Sequence, residues 1–242
     1  MGVKLNNEHT DQMGLIVEEV VIFPPEYETE DEEEILRFED LGSRGVEWMR
    51  REINITMGAK KKRSEWRNFF AGFLNKYHGE VVELVCDDDT QYHYRGRCYV
   101  EKDVEKTARI GKFQVTIMAD PFKYKDYVSV NVSESGTITA ETNYETPCII
   151  EITPLNDNTS LTITGVARDP VTGEDESVTV KNLKKGKTVI LDGESCTVTQ
   201  EGANKYPDTD FWEFPSLLPG ENEITLSNTL NTVKIKYRPR YI

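Results

Sequence analysis

The chain has 242 residues, enough for one large or two modest domains that each bury a core. It carries 29 Lys+Arg against 43 Asp+Glu, a formal net charge of -14, which argues against the broad basic face that a duplex-DNA reader needs. Hydrophobic residues at 37% and aromatic residues at 10% argue against global disorder.

The opening residues MGVKLNNEHTDQMGLIVEEV lack a basic segment followed by an apolar run, so no secretory signal is expected. No stretch approaches the roughly 20 apolar residues that cross a bilayer, so membrane insertion is not expected either. Weak alternation from Gly14 to Phe23 predicts a first strand, ended by Pro24-Pro25. The acidic run from Glu26 to Glu34 follows, and reads as an exposed arm with solvated charges. It lacks a glycine to turn its carboxylates around Ca²⁺ and makes a poor ion site.

Glu52 to Met57 alternates polar and apolar residues and predicts a strand. Gly58 and the basic cluster Lys60, Lys61, Lys62 and Arg63 come next. Then Trp66, Phe69, Phe70, Phe73, Leu74 and Tyr77 recur at i, i+3, i+4, i+7, i+8 and i+11, which predicts an amphipathic helix. Ser64 is placed to cap its start and Gly79 to end it. The stripe reads as packing core, and such a helix serves to cover the open face of a sheet.

VVELVCDDDTQYHYRGRCYV predicts two strands joined at Asp87 to Thr90, with the aspartates serving a turn rather than a metal. Lys112 to Met118 alternates as another strand, which runs into the stop Asp120-Pro121-Phe122-Lys123-Tyr124. From about Lys125 the strands become short and are punctuated by Gly, Pro, Asn and Asp, the pattern of a β-sandwich or jelly roll. The expected division is 1–130 and 131–242. Both parts are mainly β, the first sandwich-like with one packed helix.

Cys86, Cys98, Cys148 and Cys196 form no CxxC, and His9, His78 and His93 do not complete a zinc site. Free buried thiols are expected, although Cys86 and Cys98 flank a hairpin and could approach each other. GxSxG, HExxH, a Walker A loop and GxGxxG after a strand are all absent, so neither an enzyme nor a cofactor is expected. Near the end, alternation puts Trp212 and Phe214 on one face as a core pair. The competing reading makes Trp212 and Tyr206 a stacking platform for sugar.

The order of these parts resembles the distal tail proteins (Dit) of the siphovirus tail-component family. The resemblance rests on the strand before Pro24-Pro25, the Glu52 to Met57 strand, the Trp66 to Tyr77 helix and the Asp87 to Thr90 hairpin. It continues in the Asp120 to Tyr124 stop, in FPSLLPGENEITLSN and in the terminal VKIKYRPRYI.

It implies a galectin-like C-terminal sandwich and a hexameric ring built mainly by the N-terminal domain, at the tip of a long non-contractile tail. The implied partners are the tail tube protein, the tail-associated lysin or hub protein, and receptor-binding proteins. DNA would leave through the lumen without specific binding. The chain would be made in the host cytoplasm. Within such a ring, Glu30, Glu32 and Glu33 are candidate subunit contacts opposite Lys60, Lys61, Lys62 and Arg63. A carbohydrate-binding wall-adsorption protein is the alternative.

Overall fold

The computed structural model describes residues 2–29, 46–101, 105–107, 110–169 and 172–242. It is mainly β, as the short alternating segments predict, with one α-helix among the described residues. The chain divides into two units, Met1–Tyr124 and Lys125–Tyr241. The strand Val128–Val132 belongs to the second.

In the first unit an antiparallel sheet runs in the order Glu8–His9, Val3–Leu5, Val81–Cys86, Tyr94–Val100, Ile110–Ala119, Arg51–Lys60, Ile16–Ile22. Glu105–Thr107 pairs with Ile110–Ala119 to one side of this path. Strict alternation drives the pairing. Met57, Ile55 and Ile53 stand opposite Phe113, Val115 and Ile117, and all six are buried. A slip of one residue would send each of these to the opposite face, so burial fixes the register. The outermost strand Ile16–Ile22 shifts register between Val17 and Glu19, a bulge that disrupts further pairing along that edge.

The helix Arg63–Tyr77 covers this sheet. Phe113 is its main anchor, with Phe70 and Phe73 edge-on to it at 5.3 and 5.1 Å and Trp66 at 6.4 Å. The helix can lie this close because Gly111 leaves room for the Trp66 ring. Its start differs from expectation. Lys62, not Ser64, holds the N-cap position, and no side chain caps the helix. Lys62 has extended backbone angles, whereas Ser64 already lies inside the first turn and cannot accept from N–H groups further along. The end follows the glycine: Gly79 has φ 85° just after the cap residue His78.

A hairpin, Val3–Leu5 with Glu8–His9, precedes the strand predicted from Gly14. Asn6 and Asn7 form its turn with positive φ, a conformation that Asn tolerates better than most residues. Val81–Cys86 and Tyr94–Val100 pair as the predicted hairpin, with Asp87 to Thr90 forming the first part of a connection that runs on to His93.

The second unit is a β-sandwich. One sheet is built from Val128–Val132, Asn231–Tyr237, Thr146–Pro154, Val189–Asp192, Thr197–Gln200 and Ala203–Asn204, with Ser216–Leu217 added beside Thr146–Pro154. The other runs Ser135–Ala140, Gly220–Leu226, Asn158–Arg168, Asp175–Leu183, Thr209–Asp210. Ile150, Ile152, Val233 and Ile235 from the first sheet share a core with Leu161, Ile163, Val178 and Val180 from the second. Buried Asn222 pins the Leu218 to Gly220 turn, accepting from the Leu218 N–H at 2.9 Å and donating to the Leu218 carbonyl at 2.9 Å.

All four cysteines are free. Cys86, Cys98 and Cys148 are buried, and burial pushes the Cys86 and Cys98 thiols up to about 12. Cys196 corrects the expectation of four buried thiols. It is exposed, on a turn where its own φ is 52°. A thiol-specific chromogenic reagent should therefore titrate one thiol in the native protein and four after denaturation. Two or more rapidly reacting native thiols would contradict this burial.

Candidate assembly surfaces

The six stripe residues of the helix differ in depth. Trp66, Phe73 and Tyr77 are buried, whereas Phe69, Phe70 and Leu74 are half-buried at the margin of the same core. The helix end is also tied by polar contacts. Lys76 Nζ reaches both oxygens of Glu8 at 2.6 Å, and the Tyr77 hydroxyl donates to Glu8 Oε2 at 3.1 Å. The hydrogen bond from Lys76, then that from Tyr77, holds the Glu8 carboxyl below its ordinary value. These contacts fasten the Val3–His9 hairpin to the helix.

The basic cluster sits where the strand Arg51–Lys60 gives way to the helix. Lys60 and Lys62 are exposed. Lys61 lies over the Phe69 ring at 5.0 Å and so is partly engaged within its own unit. Glu30, Glu32 and Glu33 lie outside the described residues, as does the side chain of Arg63.

Ile16 and Ile22, at the two ends of the outermost strand Ile16–Ile22, are exposed, as are Phe23 and Met49. A cleft of about 750 Å³ opens beside Phe23, lined also by Pro24, Pro25, Glu26, Arg50, Glu52 and Met118. Composition does not flag buried Arg51, which belongs to the scaffold. Its Nε donates to the Pro121 carbonyl at 2.9 Å, and its guanidinium lies 5.6 Å from the Tyr94 ring centroid. That bond holds the Asp120-Pro121 stop in place. Burial draws its pKa down from the usual value.

In the second unit Trp212 overturns the expected core pair. It is 88% exposed, while Phe214 packs half-buried against the core. The strict alternation assumed for this stretch fails because residues 211–215 carry no strand. Tyr206 is exposed and touches Phe211 and Phe214 at ring separations of 5.8 and 6.2 Å.

Among the described residues no group of three or more His, Cys, Asp or Glu is placed to hold a metal ion. No helix among them is long and apolar enough to cross a membrane.

Residues 141–241 match the family model of the siphovirus-type tail component, C-terminal domain. The matched stretch lies within the second unit, which is similar to that domain. The fold of the whole chain agrees with a crystal structure of the phage SPP1 Dit protein, at a TM-score of 0.72 and 14% identity, over 100% of this chain and 99% of that one. That protein is described as a paradigm of the hub adsorption apparatus in phages that infect Gram-positive bacteria. A chain of the phage p2 baseplate, in its activated conformation with Sr, agrees at a TM-score of 0.51 and 11% identity, over 98% and 97% of the two chains. No curated protein matches the sequence. The folds of both units are thus found in the same order in one solved phage protein.

Proposed function

We propose that this chain is the structural hub of a long non-contractile phage tail tip, where it forms a hexameric ring between the tail tube and the tail-associated lysin or hub protein. The agreement in fold with SPP1 Dit over the full length of both chains carries this reading. The match of residues 141–241 to a tail-component family supports it independently. In this reading the role is mechanical and no catalytic step is assigned. The net charge of -14 suits a lumen wall that repels the phosphate backbone and lets DNA slide past without holding it.

A closed ring needs heterologous contacts, so one surface of each subunit must complement a different surface of the next. The exposed apolar residues Ile22 and Phe23, at the end of the outermost strand beside the cleft, supply one such surface and most of the affinity. The basic cluster, facing the acidic arm of a neighbour, sets register and speeds encounter. Receptor-binding proteins would attach at the periphery, and the assembled protein would reside at the virion tail tip.

Mass and shape in solution test the reading. Light scattering coupled to size exclusion should give six times the 27.7 kDa chain mass at high concentration, with rings in negative stain. Lys60→Glu with Lys62→Glu should weaken the ring, most visibly at low salt, without unfolding the subunit. Lys61 is left intact because it also packs on Phe69. A stable two-fold dimer, or assembly that survives deletion of residues 1–124, would refute the proposal.

A further inference from the structure

The second unit carries a groove of about 520 Å³ whose lining includes Thr197, Thr199, Asn204, Tyr206 and Phe214, and no charged residue. We propose that it is a binding subsite for a neutral saccharide. The local fold explains how the groove forms. Glu201 and Gly202, at φ 51° and 81°, make the tight turn between Thr197–Gln200 and Ala203–Asn204. Thr199 then pairs with Asn204, so both side chains project from the same face of the hairpin. Val198 points the other way into the sandwich core, which leaves the outer face to Thr197 and Thr199.

The aromatic wall is held rigidly. Tyr206 opens a single 3₁₀ turn, Tyr206–Asp208. Its N–H donates to Asn204 Oδ1 at 2.9 Å, and its carbonyl accepts from the Thr209 hydroxyl at 2.7 Å. Buried Lys205 braces the turn from beneath, donating to Asp208 Oδ2 at 2.7 Å and to the Asn182 carbonyl at 3.1 Å. The Tyr206 ring stacks on Phe214 at 24° between planes and is edge-on to Phe211. A site fixed in this way loses little entropy when a ligand arrives.

What the groove leaves unsatisfied defines the occupant. The Tyr206 hydroxyl, the Asn204 amide N–H₂ and the Thr199 hydroxyl make no hydrogen bond among the described residues. They supply both donors and acceptors beside an aromatic surface, with no fixed charge in the lining. A sugar ring has the matching character: apolar C–H faces, and hydroxyls at its rim that donate and accept at once. An anionic polymer would find no cation in the lining, and a purely apolar ligand would strand three polar groups.

The full-length protein should be titrated calorimetrically with three neutral linear probes: maltotriose, cellotriose and tri-N-acetylchitotriose. At least one should bind with saturable heat. Tyr206→Ala and Asn204→Ala should each weaken it by about tenfold or more, and Tyr206→Phe by less than Tyr206→Ala. Circular dichroism confirms folding: Tyr206→Phe keeps the melting temperature, whereas Asn204→Ala, which also removes the acceptor for the Tyr206 N–H, and Tyr206→Ala, which removes the ring on Phe214, lower it slightly but stay folded at the titration temperature. Three outcomes overturn the proposal: no binding of any probe, binding that depends on Trp212 but on neither Tyr206 nor Asn204, or binding only of a polyglycerol phosphate probe. Ring mass is read separately, so failure here leaves the hub reading standing, and the reverse also holds.

Discussion

Trp66→Ala lowers the stability of the N-terminal unit by about 3–5 kcal/mol, the range for removing a large buried aromatic side chain. The ring is 4% exposed and is gripped from three sides. Phe70 stacks on it at 10° between planes, Phe113 meets it at 61°, and the backbone of Gly111 lies under its six-membered edge. A methyl at position 111 would come within 2.4 Å of Cη2 and Cζ2, so Gly111→Ala must displace the ring and costs about 1–3 kcal/mol by overpacking. The double variant is the sharper test. With the indole gone the added methyl has space, so nearly all of the Gly111→Ala cost should vanish in the Trp66→Ala background. Phe70→Ala costs less than Trp66→Ala because its ring is half-buried. Lys61→Ala, which loses only a cation over Phe69, stays below about 1 kcal/mol. Urea midpoints followed by circular dichroism decide the matter, and equal midpoints for Trp66→Ala and Lys61→Ala would refute the packing.

The same residues show why some features are legible in the sequence and others are not. The helix stands out because its six apolar positions repeat at about 3.6 residues over three turns, with no proline to interrupt them. The strands Arg51–Lys60 and Ile110–Ala119 stand out because one face meets the core and the other meets water. The hairpin Val3–His9 does not, because two short strands around Asn6-Asn7 offer only Val3 and Leu5 as apolar signals.

The positions that local pattern misplaces or passes over share another cause. Alternation misplaces Trp212 because it applies only where a strand exists. Arg51 is buried against the apparent rule for charge because the Pro121 carbonyl and the Tyr94 ring satisfy it, and both are remote in sequence. The saccharide groove follows the same logic. Its parts are a turn, a bridged threonine–asparagine pair and a tyrosine braced by Lys205, and only the register Thr199↔Asn204 brings them to one face. Local pattern predicts elements, but it does not predict which distant groups converge.

Gly165→Ala is expected to be the most damaging single-methyl change in the C-terminal unit, at about 3 kcal/mol or more. The strand Asn158–Arg168 shifts register against its neighbour between Thr164 and Ala167, and Gly165 sits in that bulge at φ 82°. An alanine there costs about 1–2 kcal/mol for the left-handed conformation alone. It also meets backbone that cannot rotate away, since a Cβ would stand 1.9 Å from the Glu223 carbonyl oxygen on the adjoining strand Gly220–Leu226. Gly173 separates the two costs. It has φ 72° but no atom within 4 Å of where an added methyl would stand, so Gly173→Ala should cost only about 1 kcal/mol. The two units keep separate hydrophobic clusters with no residue in common. Gly165→Ala should therefore shift one unfolding transition and leave unmoved the other, which Trp66→Ala shifts. Differential scanning calorimetry on wild type and both variants reads this directly. A single transition moved equally by both substitutions would mean that the two clusters melt as one cooperative core, and the division near Lys125 would then carry no energetic meaning.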